Sequence, residues 1–211
     1  MLNLYSVTHI LCINLRTMNT DIFFFDVFKS LYLTETEKQA IRNCFHEKHY
    51  KKGELIILNG QDVDTLLYVV DGCLRTYFID EKGKEHTIQF AVHDWWISDM
   101  VAFFSQTKAI YNIECLEDSI VFAIHREDIE KLCFQIPVFN KLYRSKMEGS
   151  IVGYQKRILA NLSQNATERY ERFIETYPNI EMSVKNYHLA SYLGITTESL
   201  SRIRKEMSKR S

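Results

Sequence analysis

Glu198 and Arg202, four residues apart in the stretch YLGITTESLSRIRK (192–205), form the pair with the most specific chemistry in this 211-residue chain. On one helix face such a carboxylate can accept from a cytosine amino group, and such a guanidinium can grip O6 and N7 of guanine. Thr197, Ser201 and Lys205 fall beside them at four-residue steps, and Arg204, Lys205, Lys209 and Arg210 supply positive charge that would neutralise phosphates. The competing reading is a solvated surface helix in which Glu198 and Arg202 pair at i,i+4 for only a few tenths of a kcal/mol.

The surrounding residues favour the first reading. Leu189, Leu193, Ile195, Leu200, Ile203 and Met207 can share one small core if the chain bends at Gly194. Two helices joined by a short turn containing glycine is the helix-turn-helix plan. Thr196 has the chemistry to cap the second helix by accepting from a free backbone N–H. Charge agrees: Lys185 to Ser211 carries a net +4, against −5 for the remainder. A C-terminal unit that meets polyanions, following one that does not, explains that asymmetry.

The elements upstream change character twice. TETEKQAIRNCFH, Thr34 to His46, reads as an amphipathic helix with Thr34 as N-cap and Glu37 three residues later. Between Tyr50 and Ile124, ELIILNG, TLLYVVDG, CLRTYFID, HTIQFAV, YNIECLE and SIVFAIH are separated by turn signals about every ten residues. This is the rhythm of an antiparallel sandwich or barrel-like roll. From Val138 to Gln164, Phe139, Tyr143, Met147, Ile151, Tyr154, Ile158 and Leu162 recur at helical steps. A helix of roughly 25 residues spans about 37 Å, more than a small domain needs, so a twin helix in a homodimer is expected to cover part of it. Gly149 and Gly153 weaken its interior. ATERYERFIETYP is a further helix, closed by Tyr177-Pro178-Asn179.

Other classes lack their residues. The five cysteines, Cys12, Cys44, Cys73, Cys115 and Cys133, include no CxxC and read as reduced, mostly buried thiols. A cupin-like metal enzyme could use Glu85, His86, His93 and His125, but no HxH occurs. P-loop, GxSxG and dinucleotide fingerprints are missing, so no enzyme is expected. The apolar run Ile10 to Leu15 is too short to span a bilayer, and residues 1–17 read as an extension or misassigned start, with Met18 as the natural one.

As a whole the chain resembles the Crp/Fnr family of bacterial transcription regulators. The resemblance rests on YKKGELIILNGQDVDTLLYVVDGCLRTYF (50–78), with Gly53, Gly60 and Gly72 at the family's turns, and on HLASYLGITTESLSRIRK (188–205). The wording of YNIECLEDSIVFAI and ASYLGIT is most similar to the branch common in Bacteroidetes. The resemblance implies an α+β chain: an antiparallel β-roll of jelly-roll type with flanking helices as a sensor domain (18–136), a dimerisation helix (137–164), and a winged helix-turn-helix (165–211). It also implies a cytoplasmic homodimer that binds double-stranded DNA and works with RNA polymerase.

Two departures from the family pattern follow. Members often begin the recognition helix with Arg-Glu and place an Arg four residues after the Glu; Glu198 and Arg202 match, while Thr197 replaces the first Arg. Nucleotide-binding members carry Gly-Glu and then Arg-Ser/Thr-Ala, where this chain offers Ser98-Asp99, followed by Met100, and Ala109-Ile110-Tyr111. Asp99 could accept from a ribose hydroxyl, but no Arg stands where a cyclic phosphate would lie, and Lys108 should point away. A phosphate buried without its charge partner is costly, so cyclic AMP is not expected and no cofactor is assigned.

Overall fold

A computed structural model describes residue 28, residues 31–178, residue 180 and residues 184–209. The readings of residues 1–17, Met18, Cys12 and Arg210 lie outside the described residues.

The first helix, α1 (Glu35–Cys44), starts where its cap was expected: Thr34 Oγ1 accepts from Glu37 N at 3.3 Å and Glu37 returns a carboxylate oxygen to Thr34 N at 2.7 Å. It ends two residues before the expected His46, because Phe45 turns its ring into the core and opens strand β1 (Phe45–Tyr50). Strands β2 (Leu55–Ile57), β3 (Thr65–Asp71), β4 (Leu74–Ile79), β5 (Glu85–Ala91), β6 (Trp96–Ile97), β7 (Asn112–Cys115) and β8 (Ser119–His125) follow.

These strands make two four-stranded antiparallel sheets, β1-β8-β3-β6 and β2-β7-β4-β5. Ile41, Leu66, Val69, Leu74, Ile97, Ile113, Val121 and Ile124 fill the space between them. Gly72, at φ +92°, is the one turn glycine whose missing side chain also matters for packing, since a Cβ there would stand 2.7 Å from the Asp118 carbonyl oxygen. Burial pushes the Cys73 thiol up to about 12 and the Cys115 thiol up to about 11, which keeps both inert.

Helix α2 (Met100–Ser105) interrupts the roll, and α3 (Arg126–Gln135) leaves it for the long α4 (Pro137–Ser163). Along α4 each four-residue step advances about 40° around the axis. The apolar series therefore drifts: Phe139, Leu142, Tyr143 and Met147 pack on the chain's own roll, while Ile151, Ile158, Leu159 and Leu162 stand 58–82% exposed. Gly149 and Gly153 lie inside the helix at a cost of about 1 kcal/mol each relative to alanine.

Helix α5 (Ala166–Thr176) carries a capping box from Asn165 and Glu168. Helices α6 (Asn186–Leu193) and α7 (Thr197–Met207) complete the chain, and no strand lies among the described residues of 165–211, so the wing implied by the resemblance is not found there. A second core joins the roll to these helices, with Phe90 and Leu116 meeting Tyr170, Phe173, Tyr177, Leu189, Leu193, Leu200 and Ile203.

Candidate nucleic-acid interface

Gly194 ends α6 in the left-handed region at φ +67°, with its N–H returned to the Ala190 and Ser191 carbonyls. Two residues later Thr196 caps α7, its hydroxyl accepting from Ser199 N at 3.2 Å. Leu200 and Ile203 point into the second core, which fixes the outward face of α7. Glu198, Ser201, Arg202 and Lys205 are exposed on it, Thr197 at its start is half-buried, and Lys209 is exposed two residues beyond its end.

The i,i+4 ion pair between Glu198 and Arg202 does not form. The Glu198 carboxylate is turned to the helix start, where a backbone N–H and the Thr196 and Thr197 hydroxyls hold it below the usual carboxylate range. Among the described residues the Arg202 and Lys205 head groups have no carboxylate partner. Arg204 differs from the sequence reading: its guanidinium reaches back to Tyr170 Oη at 3.1 Å and Asn186 Oδ1 at 2.6 Å, tying α7 to α5 and α6. Arg204 directly follows the buried Ile203, so it stands at the edge of the buried stripe and is half-buried against the neighbouring helices.

The second candidate site is the segment 98–111. Asp99 is fully buried and caps α2: one carboxylate oxygen accepts from Ala102 N at 3.0 Å, the other from Ile110 N at 2.7 Å and Tyr111 N at 2.9 Å. The two amides of 110–111 therefore hold an internal carboxylate. Ser98 donates to the Thr65 carbonyl at 2.8 Å, Met100 packs against the roll core and Ala109 is buried in it, while Ile110 is exposed. Lys108 points outward to an exposed ion pair with Asp62 at 2.7 Å, although it sits in an isolated bridge rather than in the strand the sequence suggested. The histidines that might have made a metal site are dispersed: His86 pairs with Asp80, His125 with Asp64, and His93 lies against the Val70 carbonyl.

One functional residue was not legible in advance. Arg75, on β4, is 1% exposed and lies beneath α6, where it meets His188, Glu85 at 2.5 Å and Glu114 at 2.8 Å, with Tyr77 under its guanidinium. In CLRTYFID it reads as the outward polar residue of an alternating strand; only the docking of α6 buries it. Ser191 adds to that junction by donating to the Glu85 carbonyl and accepting from Thr87 N.

A β-roll followed by a long helix and a helix-turn-helix is an architecture shared with known proteins. Residues 47–135 match the cyclic nucleotide-binding domain. The fumarate and nitrate reduction regulatory protein of Yersinia pestis is 26% identical over 189 residues, covering 81% of this chain and 72% of that protein. Among solved structures, FixK2 from Bradyrhizobium japonicum shares the fold with TM-score 0.65 and 21% identity, over 79% of this chain and 85% of that one. So does a transcriptional regulator of the crp/fnr family from Eubacterium rectale, with TM-score 0.65, 20% identity and coverage of 89% and 88%. The chain thus carries a cyclic nucleotide-binding domain and is similar, over most of its length, to regulators of the Crp/Fnr family.

Proposed function

We propose that the chain is a homodimeric, sequence-specific DNA-binding regulator of the cytoplasm, whose two α7 helices enter successive major grooves of a near-palindromic site. The observation that supports this reading is the exposed outward face of α7, where Glu198, Ser201, Arg202 and Lys205 stand around a fixed core and the Arg202 and Lys205 head groups have no carboxylate partner among the described residues. Glu198 and Arg202 read base edges, Thr197 touches the groove at the helix start, and Lys205 and Lys209 neutralise phosphates. The exposed stripe of Ile151, Ile158, Leu159 and Leu162 is the surface that a second copy covers, and it supports the dimer. RNA polymerase is the expected protein partner.

Cyclic AMP is not the effector in this reading, because Asp99 already occupies the amides of Ile110 and Tyr111 and the segment Ala109-Ile110-Tyr111 carries no Arg of its own. A cyclic-nucleotide-responsive member would need that carboxylate displaced. Fluorescence anisotropy with duplex DNA tests the proposal: affinity should fall steeply as salt rises. Loss of sequence preference in Arg202→Ala supports the assignment, and unchanged preference refutes it.

A further inference from the structure

Between the roll, α4 and the C-terminal helices lies a cavity of about 350 Å³, apart from the 98–111 segment. That is the size of small-molecule sites, which are mostly apolar with a few placed polar groups. Its walls are apolar and aromatic, with Trp95, Trp96, Phe173 and Tyr177 among them, yet Arg157, Arg169 and Arg172 also contribute.

The three arginines are held by carbonyl oxygens, not carboxylates. Arg157 donates to Ile88, Thr87 and Tyr192, Arg169 to Leu193 and Gln164, and Arg172 to Lys156. Their positive charge is thus oriented, and no carboxylate among the described residues neutralises it. The carboxylate at the cavity, Asp94, is already paired with Lys146 at 2.9 Å. Two buried donors of the wall, Arg157 Nε and Trp96 Nε1, lack an acceptor, in contrast to nearly all buried donors in folded proteins.

The glycines of α4 face this open space. Gly149 and Gly153 both line the cavity, one helical turn apart, and a Cβ on either would meet nothing within 4 Å. No turn or close approach demands glycine there, and both weaken the helix relative to alanine. Ile151, Ile158 and Leu162 of the exposed stripe lie across α4 from the two glycines, with Leu159 about 100° around from them.

We propose that this cavity is a binding site for a small organic anion with a planar aromatic body, its charge taken by Arg157, Arg169 and Arg172 and its ring by Trp95, Trp96 and Tyr177. Arg157 and Arg169 also hold the carbonyls of Tyr192 and Leu193, immediately before Gly194, so an anion on them acts directly on the turn that sets α7.

Trp95 and Trp96 are the only tryptophans of the chain, so energy transfer from them reports the site. The full-length protein is titrated with anilinonaphthalene sulfonate and, separately, with uncharged N-phenylnaphthylamine. Saturable binding of one sulfonate per chain is expected, with the neutral probe and the Arg172→Gln variant each about tenfold weaker. Gly153→Phe should abolish it by filling the space, while Gly153→Ala, which leaves the space open, should keep it. Circular dichroism confirms that each variant is folded. Unsaturable binding, equal binding of the two probes, or undiminished binding in folded Gly153→Phe would each overturn the proposal. None of these readouts involves DNA.

Discussion

Arg75 of β4 and His188 of α6 meet side chain to side chain, the guanidinium donating to Nδ1 of the imidazole, across the junction between roll and helix-turn-helix. The contact is possible only with His188 neutral. Burial, then the charges of Arg75 and Lys185, lower its pKa from 6.5 to about 3. Around it Glu85 and Glu114 balance Arg75, and Ser191 stitches α6 to the edge of β5. The helix-turn-helix is thus positioned by a buried charge cluster at α6 as well as by apolar packing.

The pH dependence follows. With the folded pKa below the unfolded one, the unfolded chain binds the extra proton, so the contribution is complete above pH 6.5 and declines as pH falls toward 3. Between pH 7 and pH 5 the loss is on the order of 2 kcal/mol. Glu114, whose carboxyl burial holds above its ordinary range, works in the opposite direction, so the comparison is with His188→Gln. Urea unfolding should show a steeper loss below pH 6.5 in the parent than in that variant; parallel curves would contradict this.

Removing Arg75 leaves two carboxylates facing each other at the junction. Arg75→Met should destabilise by about 2–3 kcal/mol, less than for a fully buried pair because Glu85 is 40% exposed. Replacing Glu85 and Glu114 by Gln in the same chain should restore part of the loss. Denaturant midpoints check both.

Asp99 serves the fold in this account. Asp99→Ala strands three backbone donors and removes the cap of α2, so a loss of about 2–4 kcal/mol is expected. Asp99→Asn, able to satisfy only part of the set, should lie between. A destabilisation below 1 kcal/mol in Asp99→Ala would show that the carboxylate is not a structural anchor.

The proposed dimer buries the exposed half of α4. Leu162, 82% exposed, and Ile158 are predicted interface residues. Ile158→Glu with Leu162→Glu should convert the protein to a monomer in sedimentation velocity. Helix content should be unchanged, because neither side chain supports the chain's own core.

Much of this was legible in the sequence. The apolar positions of 189–207, the glycine at 194 and the threonine at 196 fix the helix-turn-helix, because local rules for turns and caps act within a few residues. The six β-branched runs gave their strands for the same reason. Long-range packing decided the rest: Phe45 leaves its helix for the core, Trp96–Ile97 forms a strand only by lying against β3, and Arg75 is buried only by a helix that starts at residue 186. Arg204 belongs here too, since its partners Tyr170 and Asn186 come from two other helices.

The central claim is that α7 reads DNA as one of a symmetric pair. Selection from a random duplex library by the purified protein, followed by sequencing, tests it most directly. The account predicts a near-palindromic motif with half-sites one helical turn apart, whose strongest position is lost when Arg202→Ala is used. Recovery of no enriched motif, or of the same motif with Arg202→Ala, would contradict it.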